Sequence, residues 1–96
     1  MLVHIVMFQF KDENKEANMV MVKGLLEALP SKISTLHSME VGIDISRSER
    51  SFDMVLVSMF EEQAALDVYA THPAHLEVVS VIKEVTTLSK VVDYRQ

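Results

Sequence analysis

Residues 2–10 are apolar on both alternating faces. Leu2, His4, Val6, Phe8 and Phe10 fall on one, and Val3, Ile5 and Met7 on the other. A short, β-branched run with no polar face predicts a strand covered on both sides. Residues 11–16 are polar and turn-like. Asn14 is the expected N-cap of a helix, with Glu16 in its first turn where a carboxylate meets the positive end of the dipole. From about residue 15 to 29 apolar positions recur at helical spacing. They form two adjacent stripes, Met21–Leu25–Leu29 and Val22–Leu26–Leu29, before Pro30-Ser31 ends the run. Residues 33–45 read as a second strand, clearest where Met39, Val41, Ile43 and Ile45 alternate with Glu40, Gly42 and Asp44. A polar connection over 46–51 leads to a third strand, 53–60, again apolar on both faces. Glu61-Glu62 opens a short helix carrying Leu66 and Tyr69. His72-Pro73 restarts a helix with Leu76, Val79 and Ile82 or Lys83 at three- to four-residue spacing, and 85–94 is the last strand.

The order β-α-β-β-α-β predicts an α+β, ferredoxin-like plan: one four-stranded antiparallel sheet with helices on one face, in a single domain over residues 1–96. Those helices cover one face only. The first and third strands carry apolar residues on the other, and an uncovered apolar sheet is an association surface. The expected partner is a second copy, the two sheets packing back to back into a dimeric α/β barrel.

Composition narrows the chemistry. The chain has 9 Lys+Arg against 14 Asp+Glu, a net charge of −5, and no basic cluster. Phosphate contacts need clustered Lys and Arg, so nucleic acid is not an expected partner. The chain contains no Cys, which excludes thiolate catalysis and Cys-based metal centres. No apolar run approaches the ~20 residues of a membrane span, and the first residues form no leader-like pattern, so the expectation is a cytoplasmic protein without a membrane partner. There is no GxGxxG, no P-loop and no Ser-centred elbow. Any enzyme here works by acid–base chemistry, with or without a metal.

The four histidines stand at 4, 37, 72 and 75. Two of them flank Pro73 in Tyr69-Ala70-Thr71-His72-Pro73-Ala74-His75. Proline suits the first position of a helix, so His72 is placed at a helix entrance and His75 in the first turn. Two imidazoles and a phenol then share one short segment, and such groups move protons near neutral pH. A zinc site from His4, His72 and His75 has suitable ligand types, but the spacing across Pro73 is not the helical i, i+4 that favours joint ligation. No metal and no cofactor are expected.

These residues resemble the stress-responsive dimeric α/β-barrel (Dabb) family over nearly the whole chain. The resemblance rests on His4 followed by Phe8-Gln9-Phe10-Lys11-Asp12, on Val41-Gly42-Ile43-Asp44-Ile45-Ser46, on Phe52-Asp53 and Phe60-Glu61 around the third strand, on the His-Pro-Ala-His segment, and on Val91-Val92-Asp93-Tyr94. It implies a dimeric barrel in a functionally mixed group. One plant branch works as a cofactor-independent polyketide cyclase with its pocket between sheet and helices. The resemblance then implies that His75 is the base, that Tyr69 assists, and that His4 and His72 correspond to the remaining histidines of that site. A divalent cation held near helix one in some family structures is not carried over, because the spacing after Leu29 differs here.

The functional expectation is therefore a small-molecule pocket acting on an enolisable carbonyl or phenolic ligand. His75, Tyr69 and His4 are the candidate catalytic residues, and His72 and Phe8 the candidate substrate contacts. The competing expectations are a non-enzymatic, stress-associated or ligand-sequestering dimer and a cofactor-free oxygenase of the related barrel type.

Overall fold

A computed structural model describes residues 1–96. Strand β1 (Leu2–Phe10) leads to helix α1 (Lys15–Glu27) and a single 3-10 turn (Leu29–Ser31). Strands β2 (Ser38–Ile43) and β3 (Met54–Phe60) follow, then helices α2 (Gln63–Thr71) and α3 (Pro73–Val85), and finally β4 (Thr86–Arg95). All strand pairs are antiparallel, in the order β2-β3-β1-β4. This is the ferredoxin-like α+β fold read from the pattern.

Register assigns the faces. Because cross-strand partners share a face, Leu2, His4, Val6 and Phe8 lie beside Phe60, Ser58, Leu56 and Met54 of β3, and His4, Val6 and Phe8 beside Asp93, Val91 and Ser89 of β4. This face meets the helices, and the core forms between them from Phe8, Phe10, Leu56 and Phe60 of the sheet and Met19, Val22, Leu26, Leu66, Val78 and Ile82 of the helices. The opposite face presents Ile5, Met7, Val55, Val57, Val92 and Tyr94 with no helix over it; Met7, Val92 and Tyr94 are exposed.

Several local expectations are corrected. The second strand is six residues long rather than thirteen. Ile33 and Leu36 precede it in a turn region and are buried individually, at 1% and 5% exposure. Ile45, expected on that strand, lies beyond it and is 93% exposed. Of the two stripes expected on α1, Val22–Leu26–Leu29 is buried and is extended by Met19, whereas Met21 faces out. On α3 the buried residues are Val78 and Ile82, while Leu76 is exposed. Asn14 occupies the N-cap position but makes no side-chain cap; its backbone is left-handed, at φ 53°, a conformation that Asn tolerates better than most residues.

Asp53 lies just before β3 rather than in it, and it is 3% exposed. Its carboxylate accepts from the Phe10 amide at 2.7 Å and from the Arg47 guanidinium at 2.7 Å, with the Lys15 ammonium at 3.3 Å. One buried carboxylate thus ties the end of β1, the 44–53 loop and the start of α1 together. Burial pushes its pKa up, but the bonds from Arg47, Phe10 and Lys15 outweigh that and hold the carboxyl below its ordinary value.

Candidate functional site

The helix broken at Pro73 places the site. His72 ends α2 in an extended conformation (φ −65°, ψ 134°) and begins α3, with Pro73 in the first position. Proline lacks an amide hydrogen that the first turn would leave free in any case. His72 Nδ1 accepts from the Ala74 amide at 3.1 Å, so the imidazole serves as a helix cap. His75 then sits one residue further into the same turn, directed back towards α2.

Between α3 and the helix-facing side of the sheet lies a cavity of about 320 Å³ whose lining includes His4, Phe8, Tyr69, His75, Val79 and Lys83. That is near the lower end of the ~300–1,000 Å³ found for ligand pockets. The structure therefore brings four of the five candidate residues, His4, Phe8, Tyr69 and His75, to one space. His72, the fifth, is absent from the lining and is engaged in the cap.

His75 Nδ1 lies 3.0 Å from the Ala70 carbonyl oxygen. A carbonyl only accepts, so Nδ1 carries the proton and the neutral ring keeps its lone pair on Nε2. Burial pushes the imidazole pKa below its ordinary value; the bond to Ala70 opposes this, and the charges of His4 and His72 reinforce it. The ring is accordingly a neutral base at pH 7.

Tyr69 packs against His75 with ring centroids 4.2 Å apart at 37°, and edge-on against Phe60 at 5.1 Å. The residue is 1% exposed, and its hydroxyl is buried without a hydrogen-bond partner. Leaving a buried hydroxyl unpaired costs about 1–3 kcal/mol, and most buried polar groups avoid it. Burial pushes the phenol pKa up to about 12. The group is thus a permanent O–H donor at neutral pH, waiting for an acceptor.

His4 lies edge-on to Phe60 at 6.4 Å. Its Nδ1 bonds the carboxylate of Asp93, the residue directly opposite it on β4. A carboxylate accepts, so Nδ1 carries the proton of this bond. An aromatic file runs His4–Phe60–Tyr69–His75 along one end of the cavity. The rest of the lining is apolar, from Val6, Leu26, Leu56, Val79, Ile82 and Val91, with Lys83, Thr86 and Ser89 at the α3–β4 side. No three His, Asp or Glu side chains come together as a metal-ligand set.

Asp93 was not among the candidates read from the sequence. Its signal was the antiparallel pairing of the first and last strands, which puts it opposite His4, but register is not visible before the fold is. Lys83 was seen only as a member of a helical stripe.

The model of one protein family, the stress responsive A/B barrel domain, matches residues 2–96. No curated protein matches the chain. Among solved structures, a dimeric protein of unknown function and ferredoxin-like fold from Bacteroides fragilis is 33% identical, with 99% of this chain and 95% of that one covered and a TM-score of 0.91. A dimeric ferredoxin-like protein of unknown function from Thermobifida fusca is 21% identical over 99% and 90%, with a TM-score of 0.89. A hydroxynitrile lyase from Passiflora edulis is 16% identical over 97% and 90%, with a TM-score of 0.86. At those last two identities the likeness is one of fold.

Proposed function

The chain belongs to the stress-responsive A/B barrel domain family, and from that premise we propose that it binds a small enolisable carbonyl compound in the His75–Tyr69 cavity and moves a proton on it without a cofactor. The observation that carries this reading is the Tyr69 hydroxyl, buried and unpartnered beside a histidine whose tautomer is fixed. His75 Nε2 takes a proton from the carbon next to the carbonyl. The electron pair moves onto the carbonyl oxygen, where the Tyr69 O–H donates to the developing enolate. The enolate then attacks a second carbonyl in the same molecule, as in a cyclase, and the oxygen of that carbonyl takes the proton back from His75; in a β,γ-unsaturated carbonyl compound the dienolate instead regains the proton from His75 at the γ-carbon, as in an isomerase. His4, held by Asp93, supplies a second imidazole at the same end of the cavity.

The apolar face opposite the helices supports assembly as a homodimer through that face. The Bacteroides fragilis neighbour, at 33% identity, is itself dimeric, and Ile5, Met7, Val55, Val57 and Val92 form an apolar sheet surface of the kind that a second sheet covers.

Deuterium incorporation at the α-carbon of a medium-chain methyl ketone in heavy water, followed by NMR, tests the chemistry. Wild type accelerates exchange, and His75→Ala loses the base's share of about 10²–10⁴-fold. Exchange at the buffer rate with both proteins defeats the enzymatic reading. Tight binding without exchange turns the cavity into a ligand-sequestering site.

A further inference from the structure

The cavity is longer than the chemistry at its His75 end requires. On β1 the lining residues run from His4 to Phe8, a span of about 13 Å at 3.3 Å per residue. On α3 they run His75, Val79, Ile82, Lys83, a single face about 12 Å long at 1.5 Å per residue. The two elements run the same way. The α3 carbonyl of Val85 accepts from the Lys11 amide at the end of β1, while Tyr69 and His4 meet at Phe60 near its start. The space is therefore a trough with proton-moving groups at one end, Val6, Val79 and Val91 along its middle, and Lys83, Thr86 and Ser89 at the other end.

That far end has a definite charge. The lining contains no Asp or Glu, and Lys83 is its cation. Lys83 makes no ion pair; within the chain only Lys15, Lys23 and Arg47 among the Lys and Arg residues are engaged with carboxylates. Ser89 stands opposite Phe8 on the same strand face, and Thr86 already donates to the Ile82 carbonyl at 2.8 Å. In a chain of net charge −5, an unpaired ammonium at the mouth of an apolar trough is a local attractor for anions.

We propose that Lys83, with Ser89 beside it, recognises a carboxylate at the far end of the ligand, so that the substrates are apolar-bodied acids whose enolisable carbonyl lies remote from their acid group. This inference rests on the proton-transfer reading of the same cavity and adds the substrate class. The apolar middle takes the carbon chain, and the distance between the two polar ends sets the chain length. The alternative role of Lys83 is to complement the dipole at the end of α3, which involves no ligand.

Calorimetric titration with two probes separates these. One is dioxodecanoic acid with its two carbonyls at the end remote from the carboxylate; the other is its methyl ester. Wild type binds the acid at least roughly tenfold more tightly than the ester, the worth of a hydrogen-bonded charge, and raised salt weakens only the acid. Lys83→Met keeps the apolar stem, lowers the acid to the affinity of the ester, and leaves the ester unchanged. Equal binding of acid and ester by wild type, or an equal loss of both in Lys83→Met, overturns the carboxylate inference while the cavity reading stands. Binding of neither probe by wild type overturns both.

Discussion

Tyr69→Phe should make the protein more stable and less capable at once. The substitution removes one oxygen and leaves the ring, so the 4.2 Å packing on His75 and the 5.1 Å contact with Phe60 persist. The hydroxyl that disappears is buried and has no partner. An unpaired buried hydroxyl costs about 1–3 kcal/mol, offset in part by the small void left behind. A net gain of about 1 kcal/mol is expected, which for a domain of this size raises Tm by about 4–8 °C. Urea denaturation at constant slope gives the same free energy independently. In the heavy-water exchange assay the same variant loses rate, because the enolate oxygen has lost its donor. The pairing of the two outcomes is diagnostic: a site residue held at a cost to stability is the pattern of strained or unsatisfied functional groups. A destabilised Tyr69→Phe would refute the reasoning, since it would mean that the hydroxyl has a partner in the folded protein and is structural.

Three further outcomes follow from the geometry. The rate of exchange should fall on the acid side as His75 protonates, with an apparent pKa below the ordinary ~6.5 of histidine, because burial depresses it; a limb at or above that value contradicts the assigned base. Asp53→Asn strips the negative partner from Arg47 and Lys15, both partly solvated, and should destabilise the fold by about 1–3 kcal/mol, the loss of charge-assisted hydrogen bonds at a buried group, read by urea melts. In wild type the Asp53 carboxyl titrates lower when folded than when unfolded, so its stabilisation is complete above the ordinary ~3.9. It is lost as pH falls through the folded value, and stability rising with acid in that window would contradict the network. Val57→Lys, at the centre of the uncovered face opposite Ile5, should raise the dimer dissociation constant by at least about 100-fold through one unpaired charge in an apolar interface, measured by sedimentation equilibrium; an unchanged dimer places the interface elsewhere.

The fold was legible because its signals are local. Apolar runs of strand length, helical stripes and the Pro73 restart each belong to one element, and their order leaves few ways to connect them. The errors arose where burial came from tertiary neighbours rather than from local period. Ile33 and Leu36 look like strand residues because they are apolar, yet each is buried singly from a turn region against the core. On α1 the Val22–Leu26–Leu29 stripe faces inward as its spacing indicates, but which residue extends it depends on how the helix is rotated on the sheet, and Met19 rather than Met21 joins it. The His-Pro-Ala-His segment was visible as chemistry, but the split of roles within it was not. Only the backbone shows that His72 is spent as a cap and that His75 has its proton pinned by Ala70. Asp93 and Asp53 were illegible for the same reason: each acts on residues dozens of positions away, His4 across β1–β4 and Phe10 across the start of β3.

The most direct measurement is NMR of the protein with nitrogen-labelled histidine, titrated with a medium-chain 1,3-diketone. The expected spectrum at neutral pH has His75 protonated on Nδ1 and bare on Nε2, and the diketone shifts the Nε2 signal as it enters the cavity. A proton on Nε2 in the free protein, or a His75 signal indifferent to saturating diketone, would contradict the assignment of His75 as the base.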